Sequence, residues 1–154
     1  MQKGTWNMSS KITAKKGDYF TIPMVDGRNA ICQVVWMGEE SPEKKFKKIF
    51  AFCVLSVSLD KYIPKENEYL SFEDHKGMFK VIFTAVDKLL SGEWPILNAG
   101  NLKDPNMITF EFNMAGTLYR SGEPVRVLPI EEYRNHIAMA VSGYALVNDF
   151  INQY

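Results

Sequence analysis

Two β-prone runs close to the start of the chain place the strongest constraint on the fold. Residues 18–24 and 29–37 are rich in β-branched and aromatic side chains, and Asp26-Gly27 lies between them. Asp-Gly is a preferred pair for a two-residue type I′ turn, because both central residues of that turn need positive φ. The sequence therefore predicts a β-hairpin that turns at Asp26-Gly27.

Both faces of the predicted hairpin are apolar. A two-residue turn would place Ile22 opposite Ile31 and Tyr19 opposite Val34. The side chains then form two sets, one with Tyr19, Thr21, Ala30, Cys32, Val34 and Trp36 and the other with Phe20, Ile22, Ile31, Gln33 and Val35. A sheet that is apolar on both faces must be covered on both sides or curl into a partial barrel.

Further short strands are predicted along most of the remaining chain. Residues 49–59 form the most hydrophobic run and are typical of a central strand that is buried on both faces. Residues 107–113 alternate, so that Ile108, Phe110 and Phe112 would face the core. The other predicted strands are 78–86, a short edge segment at 94–98, and 125–128 after a turn at Ser121-Gly122.

The last part of the chain changes to helical periodicity. From Ile130 to Ile151 apolar residues recur every three or four positions, and Pro129 suits the first helical position. Ser142-Gly143 is expected to kink or split this helix. We therefore expect residues 1–154 to form a single α+β domain: a mostly antiparallel twisted sheet or partial barrel of about six strands, with a C-terminal helix. We expect residues 1–14 to be loosely ordered.

Charge and composition favour a cytoplasmic protein that does not bind nucleic acid. Eighteen basic residues balance eighteen acidic ones, whereas a protein that follows phosphate backbones usually has a basic excess. The polar N-terminal segment lacks the apolar core of a secretory signal, and no apolar stretch approaches the roughly 20 residues that span a membrane. Cys32 and Cys53 lie within apolar runs and are expected to be buried, reduced thiols.

The residues that catalysis most often uses are scarce. The two histidines, His75 and His136, lie in different contexts, and neither a C-x-x-C pair nor a G-x-S-x-G elbow occurs. The glycines punctuate turns and do not form a phosphate-binding loop. We therefore predict a protein without catalytic residues, metal or cofactor. A hydrolase that uses His75 or His136 is the enzymatic alternative.

The 60–77 segment is the candidate partner-binding region. It interrupts the strand pattern and combines aromatic with acidic residues, as protein interfaces do. The residues that we predict to contact a partner are Tyr62, Glu66, Glu68, Tyr69, Glu73 and Asp74. The acidic side chains would suit a basic partner. In the alternative interpretation, this is a long loop whose aromatic residues fold back onto the core.

A run of lysines supports a second function class. Lys44, Lys45, Lys47 and Lys48 surround Phe46, and basic and aromatic residues in alternation can contact nucleic acid. A small nucleic-acid-binding barrel is therefore the alternative function. The same run is also typical of a solvated connector that protects a neighbouring hydrophobic strand from edge pairing.

Two sequence landmarks resemble those of the immunity protein 26 family. The first is the hairpin, Lys16-Gly17-Asp18-Tyr19-Phe20-Thr21-Ile22-Pro23 followed by Asp26-Gly27-Arg28 and Gln33-Val34. The second is Gly92-Glu93-Trp94-Pro95-Ile96-Leu97, a glycine followed by a Trp-Pro-aliphatic step. This chain departs from the family pattern at Asn98, where a glycine is common. Together the landmarks place roughly residues 15–113 within the resemblance.

The resemblance implies an antidote to a toxin. Proteins of this family are associated with bacterial polymorphic toxin systems, including contact-dependent growth inhibition, and are thought to bind a cognate toxin domain and block it. It implies a protein heterodimer. The acidic residues of the 60–77 segment would suit a basic toxin such as a nuclease, and the balanced charge and the lack of a spanning segment predict no direct contact with nucleic acid or membrane. The family brings no catalytic residues, and we interpret Gly17, Asp18, Pro23, Gly27 and Trp94 as scaffold.

Overall fold

A computed structural model describes residues 12–65 and 68–154 of the chain as an α+β domain. The described strands are β1 (Tyr19–Pro23), β2 (Asn29–Met37), β3 (Ile49–Ser58), β4 (Phe72–Asp74), β5 (Gly77–Phe79), β6 (Ile82–Ala85), β7 (Ile96–Asn98), β8 (Glu111–Met114), β9 (Thr117–Arg120) and β10 (Glu123–Val127). The α-helices are α1 (Asp87–Ser91), α2 (Pro105–Ile108) and α3 (Tyr144–Ile151). Short 3-10 helices occupy Gly38–Glu40, Lys44–Phe46 and Ile130–Asn135.

The predicted architecture of antiparallel strands and a C-terminal helix is confirmed. The main sheet is open and has the order β6-β3-β2-β1-β7, with every neighbouring pair antiparallel. A three-stranded sheet, β10-β9-β8, and the β4-β5 hairpin complete the set. The described strands exceed the expected six, because β4 and β9 lie where no strand was predicted and the predicted strand 78–86 is divided between β5 and β6. The loosely ordered lead-in predicted at 1–14 lies, for residues 1–11, outside the described residues.

The opening hairpin forms where it was predicted, but its turn and register differ. Phe20 lies opposite Cys32 and Ile22 opposite Ala30, one position from the predicted register. Gly27 has positive φ (92°), and Asp26 is not among the described residues with positive φ, so the turn is not type I′. The Gly27 N–H donates to the Met24 carbonyl (3.0 Å) and the Met24 N–H to the Arg28 carbonyl (2.8 Å). These bonds define a three-residue loop with a bulge at Gly27.

The carboxylate of Asp26 explains this turn. Its Oδ1 accepts the Arg28 N–H (3.0 Å) and its Oδ2 accepts from Arg28 Nε (2.8 Å). An Asp side chain that bonds the backbone two residues later stabilises an ordinary turn without a left-handed residue at its own position. A register shift of one residue exchanges the faces of one strand relative to the other, so the predicted side-chain sets were wrong.

The prediction that both faces of the hairpin are covered is confirmed. On one face Phe20 stacks on Trp94 (centroids 6.0 Å apart) and meets Phe50 and Phe52 edge-on at 5.7 and 5.3 Å. Helix α3 packs Val147, Phe150 and Ile151 into the same cluster, and β4 adds Phe72. This core therefore joins the main sheet to β4 in the middle of the chain and to α3 near its end.

The opposite face is covered by the small sheet and by the 60–77 segment. Trp36 contacts Phe46, Phe83, Phe110 and Phe112, with ring centroids between 5.1 and 6.4 Å apart. Beside this cluster, Tyr19, Ile31 and Leu55 are buried under Ile63, Tyr69 and Leu97. The first part of the 60–77 segment therefore covers this face of the main sheet through Ile63 and Tyr69.

Two stretches differ from the predicted elements. Residues 107 and 108 belong to α2, because Pro105 starts a helical turn and the Asp104 side chain accepts the Asn106 N–H (2.9 Å). Met107 is consequently buried and Ile108 exposed, whereas Phe110 and Phe112 face the core as predicted. The helical periodicity from Ile130 to Ile151 predicted a longer C-terminal helix, but within that range only α3 is an α-helix.

Residues 136–142 are extended because they pair with strands. The Asn113 N–H donates to the Ile137 carbonyl (2.7 Å), and the Ser142 N–H donates to the Phe83 carbonyl (2.8 Å). Two isolated parallel bridges result, Asn113 with Ala138 and Phe83 with Val141.

The turn predicted at Ser121-Gly122 is confirmed. It is the type I′ turn of the β9-β10 hairpin, and its two central residues have φ of 52° and 86°. In the described ranges no helix is long and apolar enough to cross a bilayer.

Gly17 and Gly27 form a matched pair for testing the scaffold. Both have positive φ, 97° and 92°, but a Cβ at Gly17 would collide with the Gly100 carbonyl oxygen, whereas nothing lies within 4 Å of one at Gly27. We expect Gly27→Ala to lower the free energy of unfolding by about 1–2 kcal/mol, from backbone strain alone. Gly17→Ala should cost about 1–3 kcal/mol more, from overpacking. Urea denaturation of both variants measures the difference, and equal losses would contradict the close approach of residues 17 and 100.

Candidate functional site

Four chain segments meet at the end of the main sheet that carries the β1-β2 turn. Asn29 pairs with Ser58, and its Nδ2 donates to the Leu59 carbonyl (3.5 Å), so Leu59 lies beside the turn. Arg28 Nη1 donates to the Tyr154 carbonyl (2.9 Å), and the Tyr154 hydroxyl donates to the Ser71 carbonyl (2.5 Å). We call this end of the molecule, formed by residues 24–28, 58–62, 68–74 and 152–154, the tip surface.

Exposed apolar side chains occur in three segments of the tip surface. Val25 is fully exposed at the turn, and Leu59, Tyr62 and Tyr154 are 75%, 69% and 50% exposed. Of these, Tyr62 belongs to the predicted partner contacts, while Val25, Leu59 and Tyr154 were not predicted. An apolar residue within a turn sequence is the signal that could have identified Val25, since turn positions usually carry polar residues or glycine.

Tyr69, a predicted contact, anchors the 60–77 segment to the sheet. Its hydroxyl donates to Oε1 of buried Gln33 (2.7 Å), whose Nε2 donates to the Gly17 carbonyl (3.0 Å). Burial raises the pKa of Tyr69 above the ordinary value for tyrosine. The interpretation in which aromatic residues fold back onto the core therefore describes Tyr69 and fully buried Phe72, but not exposed Tyr62.

The predicted acidic residues lie on both sides of a sheet edge. The Leu70 N–H donates to the Val54 carbonyl (2.7 Å), which fixes residue 70 at the edge of β3. Glu68 is exposed before this point, and Glu73 and Asp74 follow it in the β4-β5 hairpin. None of these three carboxylates is ion-paired within residues 12–65 and 68–154. Glu66, the fourth predicted acid, lies outside the described residues.

The β4-β5 hairpin is held against the C-terminal segment through its main chain. The Glu73 N–H donates to Gln153 Oε1 (3.0 Å), and Gln153 Nε2 donates back to the Glu73 carbonyl (2.8 Å). The Asp74 Oδ1 accepts the Lys76 N–H in the hairpin turn (2.8 Å). These bonds fix the backbone and leave the Glu73 carboxylate directed to solvent.

The residues considered for catalysis are dispersed. His75 is exposed in the β4-β5 turn, whereas His136 is half-buried after the 3-10 helix at Ile130–Asn135. No group of histidine, cysteine and carboxylate side chains in the described part of the chain could hold a metal ion. Both thiols are fully buried, and burial raises the pKa of Cys32 and of Cys53, which disfavours the reactive thiolate.

The lysine run has no exposed aromatic partner of its own. Phe46 is buried against Trp36 at a centroid distance of 5.6 Å. Lys45 Nζ donates to the Tyr119 hydroxyl (2.9 Å) and lies 5.3 Å from the centroid of the Phe46 ring. Lys45 is thus a support for the small sheet, and its neighbour Phe46 cannot stack on a nucleobase.

The residues that carry the family resemblance meet in space. The Thr21 N–H donates to the Pro95 carbonyl (3.0 Å), and Phe20 stacks on Trp94. The hairpin and the Trp-Pro step, which are distant in sequence, therefore form one packing unit. Comparison of the whole chain with protein-family models, with curated proteins and with solved structures gives no match.

Tyr69 and Tyr62 provide a matched test of the anchor. Tyr69→Phe leaves the buried Gln33 carbonyl oxygen without its donor, which should cost about 1–3 kcal/mol of unfolding free energy. Tyr62→Phe removes an exposed hydroxyl and should change stability by less than about 0.5 kcal/mol. Equilibrium unfolding in urea measures both. Equal effects would show that the Tyr69–Gln33 bond does not hold the segment.

Proposed function

We propose that this protein is an immunity protein that binds a cognate bacterial toxin domain in the cytoplasm of the producing cell and neutralises it by steric occlusion. The proposal is carried by the two sequence landmarks of the immunity protein 26 family, the hairpin and the Trp-Pro step. Their direct contact through Phe20 and Trp94 supports the interpretation of both landmarks as parts of one scaffold.

The tip surface is the proposed toxin-binding surface. It combines exposed Tyr62 and Leu59 with carboxylates that have no ion-pair partner among the described residues. Aromatic anchors surrounded by charge are typical of protein interfaces, and a surplus of exposed carboxylates accelerates the capture of a basic partner. A nuclease, whose substrate-binding surface is basic, is the kind of toxin that fits this arrangement.

The nucleic-acid alternative is disfavoured by the position of Phe46. Binding to single strands relies on exposed aromatic faces next to basic side chains. Here the aromatic residue of the lysine run is buried and Lys45 is engaged with Tyr119. Salt-sensitive binding of nucleic acid to the purified protein would revive this alternative.

Co-purification tests the proposed function directly. The reading frame immediately upstream would encode the toxin, so its C-terminal domain is co-expressed with this protein, with an affinity tag on one chain. We expect a stoichiometric 1:1 complex that lacks toxin activity. A failure of the two chains to associate, or a complex that retains toxin activity, would contradict the proposal.

Neutralising the acidic residues should weaken that complex without unfolding the protein. We expect the combined variant Glu66→Gln, Glu68→Gln, Glu73→Gln, Asp74→Asn to bind the toxin domain about tenfold more slowly and with a smaller dependence on salt. The matched control replaces four exposed glutamates elsewhere on the surface by glutamine: Glu39, Glu40, Glu123 and Glu131. Stopped-flow or surface plasmon resonance measures the rates. Equal slowing by both variants would exclude a local role for the 60–77 segment.

A further inference from the structure

Residues 152–154 contact two parts of the tip surface that are distant from each other in sequence. They follow α3, whose Ile151 is fully buried in the core, and Asn152 Nδ2 donates back to the Asn148 carbonyl in that helix (2.9 Å). From this anchored position they reach both the β1-β2 turn and the β4-β5 hairpin. We call residues 152–154 the clasp.

Arg28 connects the β1-β2 turn to the clasp. Its guanidinium group donates through Nε to the Asp26 carboxylate (2.8 Å), through Nη1 to the Tyr154 carbonyl (2.9 Å) and through Nη2 to Asn152 Oδ1 (3.4 Å). The side chain is 26% exposed, so most of it is shielded from solvent. A planar guanidinium can serve several acceptors in fixed directions, which makes arginine suited to join two segments of chain.

The clasp connects in turn to the β4-β5 hairpin through two side chains. Gln153 bonds both main-chain groups of Glu73: its Oε1 accepts the Glu73 N–H (3.0 Å) and its Nε2 donates to the Glu73 carbonyl (2.8 Å). The Tyr154 hydroxyl donates to the Ser71 carbonyl, and the Tyr154 ring meets buried Phe72 edge-on at 5.6 Å. The start of the hairpin is therefore held at three consecutive residues.

These contacts form a series that begins at Arg28 and ends at the hairpin. Across the described part of the chain, no hydrogen bond or ion pair joins Arg28 directly to the β4-β5 hairpin. When contacts act in series, the loss of one removes the benefit of the next. The energetic effects of breaking the first and the last contact should therefore not be additive.

We propose that Arg28 is a positioning residue of the toxin-binding surface: through the clasp it fixes where the β4-β5 hairpin, with the carboxylates of Glu73 and Asp74, lies relative to the β1-β2 turn. Segments that are fixed in advance lose less conformational entropy when a partner binds. The effect on toxin binding rests on the proposed function, whereas the coupling between turn and hairpin is a property of the free protein.

Amide exchange in the free protein, followed by NMR, tests the coupling without any toxin. The Glu73 N–H is the reporter, because its acceptor is Gln153 and not Arg28. We expect Arg28→Ala to accelerate exchange at Glu73 about three- to tenfold, since a loosened clasp allows local opening. The control is Arg120→Ala, which removes a similarly short pair between Nε and the Glu111 carboxylate (2.6 Å). Unchanged exchange in Arg28→Ala, or equal acceleration in both variants, would overturn the proposal.

Toxin binding tests the consequence for the surface. Arg28→Ala, Gln153→Ala and the double variant are compared by surface plasmon resonance at high salt, where a change in net charge has little effect on capture. We expect each single variant to raise the dissociation constant about fivefold, and the double variant to raise it no further. Effects that multiply in the double variant indicate independent contacts and would overturn the proposal. Gln153→Ala leaves the turn intact, so unchanged affinity in this variant overturns the proposal even if Arg28→Ala does not fold.

The outcomes distinguish the role of Arg28 from the proposed function. A toxin complex that forms while Arg28→Ala leaves exchange at Glu73 unchanged would reject the positioning role and leave the immunity function standing. Faster exchange at Glu73 in Arg28→Ala, without any toxin complex, would support the coupling and reject the immunity function as proposed.

Discussion

The burial of a sheet that is apolar on both faces is the constraint on which the rest of the structure depends. Phe20 and Val34 on one face and Ile31 and Val35 on the other are fully buried, so neither face can remain in water. Burying each such side chain stabilises the fold by about 1.5–3 kcal/mol. The chain after β3 therefore provides two covers: helix α3 with Trp94 on one side, and the small sheet with the 60–77 segment on the other.

The tip surface follows from the way these covers are connected. The 60–77 segment starts on one face at Ile63, crosses the edge of β3 at Leu70 and reaches the other face at Phe72. Leu70 and Phe72 are tied down, so the described residues next to them have little conformational freedom left. The exposed residues Glu68 and Glu73 adjoin these anchors, which lowers the entropy that a partner must overcome on binding.

Sequence patterns predicted the elements whose signal is local. The hairpin and its double burial follow from two β-prone runs that are apolar on both faces and from the Asp26-Gly27 pair between them. The register of the hairpin was not predictable from the same pattern. It depends on the hydrogen bonds that the Asp26 carboxylate accepts from Arg28 within the turn. The spacing of residues 130–151 indicated one helix, but pairing with Asn113 and Phe83 favoured extended backbone at 136–142.

The candidate site was predictable in its location and not in its details. An interruption of strand periodicity with aromatic and acidic residues identified the 60–77 segment, yet the same pattern fits exposed Tyr62 and anchored Tyr69. Only the distant Gln33 distinguishes them. The place of Tyr154 in the tip surface was equally unpredictable from the sequence, because its proximity to Ser71 and Glu68 results from the tertiary fold.

Amide hydrogen exchange of the free protein and of its complex with the upstream toxin domain tests the central claim most directly, since it maps the surface that the partner covers. The account predicts slower exchange in the complex at residues 24–28, 58–62, 68–74 and 152–154, with β10 unchanged. Protection confined to β10 and the residues that follow it, with the tip surface unaffected, would contradict the account.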